Sequence, residues 1–363
     1  MYDTGSTDLI LPQKNCKTCG NHTEFNPDKS TSFSPLPGLS ITPEFNTAAT
    51  TLPISGLATA NCTVVTDTVA LHGLISPDQI FAICNAFPQD FDNAPMDGIL
   101  GMGIAPQSNS TLPAFWSWYY TGQIPEPVFS FYMAPGSLHG GELTLGGVDE
   151  SKYTGDITYV DLNADLSVLS EAFVMDLQTL YINDKEVLSS SYNSSTATSD
   201  RNTGRTAGAR AGSRAGQPFP RGLAALDTGT AFLQTPDNNS AIDIYAQISP
   251  LITQIDPAGA WGAPCEILDA IAPEIKFAIG SGSGSFNMTL PPTFFNLGEY
   301  PGSPGICQAP FNSPVVTIDD PEGEGRPVWI LGSPVLKAYY TVWDGLGLRV
   351  GFAEAGGEGE LSL

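Results

Sequence analysis

Two short stretches of this 363-residue chain carry the same arrangement of reactive and small residues. Asp3-Thr4-Gly5-Ser6-Thr7 stands near the start, and Asp227-Thr228-Gly229-Thr230 stands in the second half. At a similar distance after each comes an apolar-apolar-Gly triplet: Ile99-Leu100-Gly101, preceded by Asp97-Gly98, and Ile330-Leu331-Gly332, preceded by Trp329. A lone Asp-Thr-Gly says little. Two copies, each followed by a hydroxyl residue and by its own distant Ile-Leu-Gly, mark an internal repeat of chemistry. Two carboxylates brought within hydrogen-bonding distance cannot both ionise easily, so they share a proton. One then takes a proton from water while the other donates one to a carbonyl oxygen, which is what peptide hydrolysis requires without a metal or a nucleophilic side chain. The glycine after Asp-Thr lets each backbone turn sharply and approach its twin. The Thr and Ser hydroxyls of Thr4, Ser6, Thr228 and Thr230 can hold the carboxylates and loops in register.

The elements that must position these loops read as strands. Short apolar runs punctuated by 38 Gly and 30 Pro predict an all-β chain rich in turns. Residues 64–71 and 79–84 read as strands joined at Gly73, and residues 130–133 and 142–146 as a later pair. In the second half, residues 173–182 read as a strand, and residues 275–279 and 286–290 as a hairpin. Helices are few, at residues 112–120 and at 241–248 after the Pro236 turn. Each Ile-Leu-Gly triplet is expected to run beneath its Asp loop as apolar support. The length predicts two domains, divided here into 1–162 and 163–363, each contributing one Asp. Residues 189–222 interrupt the second. They are dominated by small and polar residues, hold Arg201, Arg205, Arg210, Arg214 and Arg221, and read as a disordered surface insertion. A processing site or a docking patch for an acidic partner is the functional alternative there.

Composition narrows the classes of function. The net charge of −24, from 38 acidic and 14 basic residues, argues against nucleic acid and anionic membranes as partners. It suits work near the sequence pI of about 4.1, where self-repulsion is mild and few ion pairs exist for acid to break. No stretch is apolar and long enough to span a bilayer. Six cysteines allow fifteen pairings; pairing by order would join Cys16 with Cys19, Cys62 with Cys84, and Cys265 with Cys307. The Cys-x-x-Cys of the first pair lacks a second ligand pair for zinc, so no metal is expected. Asn-x-Ser/Thr acceptors at Asn21, Asn61, Asn109, Asn193, Asn238 and Asn287, beside an even cysteine count, point to an oxidising secretory route.

Several further stretches extend the pattern: Asp3 to Pro12, Phe25-Asn26-Pro27, Asp67-Thr68-Val69, Gln79-Ile80-Phe81, Met96 to Met102, and Tyr339-Tyr340-Thr341-Val342-Trp343-Asp344. Together with the Asp loops they make the chain resemble, over essentially its whole length, the pepsin family of aspartic proteases in an extracellular, fungal-type form. The resemblance implies a bilobal β fold with a cleft between lobes, catalytic Asp3 and Asp227, and no cofactor. It implies a secreted or vacuolar endopeptidase that acts in acid on polypeptides with apolar residues at the scissile bond. A monomer sensitive to pepstatin-type inhibitors is expected. It also matches Cys265–Cys307 to the family's second-lobe disulfide and Cys16–Cys19 to the loop after the first Asp.

Two departures stand out. The family's flap usually carries a Tyr followed by Gly, and counting back from Asp67 places Ser55-Gly56 there. The Trp that usually partners that Tyr is replaced by Ile10. The two losses together predict a changed flap. In addition, Asp3 lies two residues from Met1, whereas family counterparts follow a longer N-terminal region; no signal peptide precedes it, and the natural protein is expected to extend upstream. Among rivals, Ser or Cys triads need a His, and His22, His72 and His139 lie near no Gly-x-Ser-x-Gly elbow. Paired carboxylates also suit a glycosidase, but not within twin Asp-Thr-Gly loops. A catalytically inactive pepsin-like binding or inhibitor protein is the remaining alternative.

Overall fold

Alternation of apolar and polar residues builds most of the molecule. In Phe173–Ile182 the side chains of Phe173, Val174, Met175, Leu177, Leu180 and Ile182 are buried, with an irregularity between Leu177 and Thr179 shifting the period, and Ile275–Ile279 alternates strictly between buried and half-buried. The computed structural model of the protein describes residues 1–45, 58–88, 91, 96–104, 112–134, 140–189, 217–218, 222–281, 284–313 and 316–356. The flap residues Ser55 and Gly56, most of the insertion 189–222, and the acceptors Asn109 and Asn193 lie outside these residues.

The fold is all-β, with a few short helices that contribute buried residues to its core. A six-stranded sheet from the first part of the chain runs in the order Tyr2–Asp3, Ile99–Gly101, Leu9–Pro12, Leu74–Ala86, Asn61–Leu71, Ser34–Ile41. A nine-stranded sheet from the second part has Phe173–Ile182, Gly222–Leu226 and Gly325–Leu331 side by side at its centre. A five-stranded sheet joins the two, because Tyr339–Asp344 and Arg349–Ala355, near the end of the chain, lie between Val128–Tyr132 and Tyr153–Asp161. Its aromatic residues bind the halves together. Phe129 stacks on Trp343 at 6.1 Å, and Phe173 meets the edge of Trp343 at 4.8 Å. One continuous core runs from Met102, Phe115 and Trp116 through Trp343 to Phe277 and Leu331.

The hairpin expected around Gly73 is longer than its apolar run, Asn61–Leu71 with Leu74–Ala86, and turns through His72 and Gly73, both at positive φ. The first helix is Ala114–Tyr120, two residues shorter than expected, since Pro113 in an extended conformation sets its start. The second, Asn238–Ile248, begins earlier because the Asp237 carboxylate accepts hydrogen bonds from the amides of Asn239 and Ser240. Helices Ala164–Ser170, Cys265–Ile271 and Ser333–Leu336 were not anticipated; at two turns or fewer they show no period to read. Disulfides join Cys16 to Cys19, Cys62 to Cys84 and Cys265 to Cys307. The second crosslinks the hairpin at directly paired positions.

Candidate active site

Each Asp loop leaves one strand and returns by another, and the Ile-Leu-Gly strand lies between them. In the first, Ile99–Gly101 pairs in parallel with Tyr2–Asp3 (Asp3 opposite Gly101) and antiparallel with Leu9–Pro12. In the second, Gly325–Leu331 pairs in parallel with Gly222–Leu226 (Leu226 opposite Leu331) and antiparallel with Leu233–Gln234. Backbone bonds from the residues after each triplet hold both loops, with different partners because Pro334, which has no amide hydrogen, stands where the first half has Gly103. The Met102 amide donates to the Asp3 carbonyl and the Gly103 amide to that of Ser6; in the second half the Ser333 amide donates to the Thr230 carbonyl. The glycines of the triplets are steric necessities. A Cβ on Gly101 would strike the backbone of Thr7 and Asp8, and one on Gly332 the carbonyls of Thr230 and Phe232.

The two loops lock together through their threonines. The Thr4 amide donates to Thr228 Oγ1 at 3.0 Å, and the Thr228 amide donates to Thr4 Oγ1 at 3.0 Å. The Thr4 hydroxyl passes its own proton to the Leu226 carbonyl, and the Thr228 hydroxyl to that of Tyr2. Each hydroxyl thus both accepts from and donates to the backbone of the opposite loop, two residues apart, which ties the two strand ends together. This lattice brings Asp3 and Asp227, 9% and 6% exposed, face to face with their carboxyls hydrogen-bonded.

The carboxylates are held identically. Asp3 Oδ1 accepts from the Gly5 amide at 2.9 Å, and Asp3 Oδ2 from the Ser6 hydroxyl at 2.5 Å. Asp227 Oδ1 accepts from the Gly229 amide at 2.7 Å, and Asp227 Oδ2 from the Thr230 hydroxyl at 2.5 Å. The glycines permit the approach: a Cβ on Gly5 would lie 2.7 Å from Asp227 Cγ, and one on Gly229 would lie 2.8 Å from Asp3 Cγ. Burial pushes the Asp227 carboxyl well above the ordinary carboxylate range, and the charge of Asp3 pushes it further. The pair therefore keeps a proton where an exposed carboxyl would lose it.

All the Asp-loop residues singled out from sequence converge here. Ile10 is buried in the strand Leu9–Pro12, opposite Ala82. Sequence reasoning missed the reciprocal threonine lock as a specific set of bonds, and missed Thr7 with Glu171 altogether; residues so far apart leave no local signal. A cavity of about 440 Å³, lined among others by Leu9, Leu11, Phe81, Leu100 and Trp118, includes neither Asp. Convergence of paired groups, not cavity size, locates this site.

Residues 1–355 match the family model for eukaryotic aspartyl proteases, and the chain belongs to that family. It is 27% identical to pepsin B of Canis lupus familiaris, over 97% of this chain and 76% of that protein. It is 29% identical to gastricsin of Cavia porcellus and 29% identical to cathepsin D of Homo sapiens, each over 98% of this chain and 76% of the relative. No helix among the described residues is long and apolar enough to cross a membrane.

Proposed function

We propose that this protein is an aspartic endopeptidase in which Asp3 is the base and Asp227 the acid. The observation that carries the reading is the carboxylate pair, held in one hydrogen-bonded contact by the reciprocal Thr4–Thr228 lock. Asp3 takes a proton from water as the oxygen attacks the peptide carbonyl, and Asp227 gives its proton to the carbonyl oxygen. The resulting gem-diol collapses when Asp3 returns a proton to the leaving nitrogen and Asp227 recovers one from a hydroxyl, breaking the C–N bond. The raised Asp227 carboxyl supports operation in acid, since the mechanism needs one shared proton. Family membership supports polypeptide substrates with apolar residues at the scissile bond, and inhibition by pepstatin-type compounds.

The same reading takes residues 1–162 and 163–363 as two lobes, each supplying one Asp, and the protein as a monomer. Three disulfides and the exposed acceptors Asn21, Asn61, Asn238 and Asn287 support a secreted or vacuolar glycoprotein. The test is peptide cleavage at pH 3–4 with and without pepstatin, comparing the wild type with Asp3→Asn and Asp227→Asn. Cleavage is expected to be pepstatin-sensitive and lost in each variant without unfolding. Cleavage that survives either substitution removes that Asp from the mechanism; a folded wild type without cleavage favours a binding protein.

A further inference from the structure

Glu171 closes the helix Ala164–Ser170 with φ 57° and ψ 20°, a left-handed conformation in which glycine is the usual occupant. A side chain kept at such a position asks what it does there. Its backbone carbonyl accepts the Ile104 amide at 3.0 Å, a bond that glycine would make equally well. Its carboxylate does something glycine cannot, accepting from the Thr7 hydroxyl at 3.4 Å across 164 residues of sequence. Between them sits Gly103, where a Cβ would lie 2.5 Å from the Glu171 carbonyl, 2.9 Å from Thr7 Cγ2 and 3.0 Å from the Ser6 carbonyl. The Gly103 amide holds that Ser6 carbonyl at 2.9 Å, and the Ser6 hydroxyl holds Asp3 Oδ2. The path from Glu171 to the Asp3 carboxylate thus runs through two adjacent residues. The second loop keeps a hydroxyl residue, Thr230, in the place of Ser6, yet Ala231 stands in the place of Thr7 and offers no hydroxyl.

We propose that Glu171 is a positioning residue for Asp3. Its side chain ties the far end of the first Asp loop, at Thr7, to the second half of the chain, and so fixes the Ser6 hydroxyl that orients the Asp3 carboxylate. The effect on cleavage rests on the assignment of Asp3 above; the tie itself does not.

Glu171→Gly, Glu171→Gln, Thr7→Val and the double variant Thr7→Val/Glu171→Gly test this. Glycine suits the backbone, so Glu171→Gly is expected to melt at or above the wild-type temperature. A purely structural role would then leave activity intact or improved. Positioning instead predicts that Glu171→Gly lowers kcat about tenfold with KM within about twofold. Glu171→Gln, which keeps an acceptor, recovers most of the loss; Thr7→Val reproduces it, and the double variant loses no more than either single one. In parallel, amide exchange across residues 4–8 should quicken in Glu171→Gly while the rest of the protein keeps its protection. Wild-type kcat in Glu171→Gly, failure of Gln to rescue, multiplying losses, or unchanged exchange would each overturn the proposal. If the wild type cleaves nothing, the assignment of Asp3 fails, and the exchange measurement still decides whether Glu171 holds the loop.

Discussion

At the scale of single residues, the site depends on what is absent as much as on what reacts. Gly229 has no side chain because the Asp3 carboxylate occupies the place where one would go. Gly229→Ala must push the two carboxyls apart, and a displacement of that size costs about a hundredfold in rate. The check is kcat at acid pH alongside the melting temperature; wild-type kcat would show that the approach is looser than the geometry demands. The proton shared by the pair also links the site to stability. The folded Asp227 carboxyl titrates above its unfolded value, so the native state holds a proton that the unfolded chain releases. The site therefore costs nothing well below the unfolded value of about 3.9 and becomes destabilising as pH rises from there through the folded value. Asp227→Asn removes that cost, and its gain in melting temperature over the wild type is expected to be larger at pH 7 than at pH 3.5. Equal gains at both would show that the carboxyl is not perturbed.

At the scale of elements, the support strand and its loop are one unit. Ile99–Gly101 is held between the two arms of the Asp3 loop, with Gly101 beneath Thr7 and Asp8. A methyl group there meets backbone rather than a yielding side chain, so Gly101→Ala is expected to destabilise by roughly 1–3 kcal/mol or more and to displace the loop. Urea unfolding measures the first and kcat the second. A change below about 0.5 kcal/mol, the range of ordinary surface substitutions, would mean that the strand can slide away. The same reasoning explains why Gly follows Ile-Leu in both halves, a point that the sequence displays without its cause.

At the scale of the whole molecule, the shared five-stranded sheet makes the halves interdependent. Trp343 comes from near the end of the chain, yet packs on Phe129, Phe131 and Phe173. Trp343→Ala is expected to cost roughly 3–5 kcal/mol. In calorimetry it should lower one common transition, because the core it opens is continuous across both halves. Two separate transitions, only one of them moved, would show that the halves fold independently.

Much of this was legible in the residues themselves. The twin Asp-Thr-Gly loops, their Ile-Leu-Gly supports and the longer strands are local patterns, and local patterns survive in a linear string because burial on one face imposes a period. Phe173–Ile182 and the hairpin Ile275–Ile279 with Phe286–Leu290 fall where their apolar runs, and the Gly-Ser run between the hairpin strands, put them. What the string left open concerns residues brought together from far apart. The exchange of hydrogen bonds between Thr4 and Thr228, the raised Asp227 carboxyl, the Gly229 approach to Asp3 and the tie from Glu171 to Thr7 all join residues more than 160 positions apart. Sequence determined which groups are present and that they come in pairs. Only the tertiary structure decided how the pair is held, because the proton it shares depends on distance and burial, which have no period along the chain.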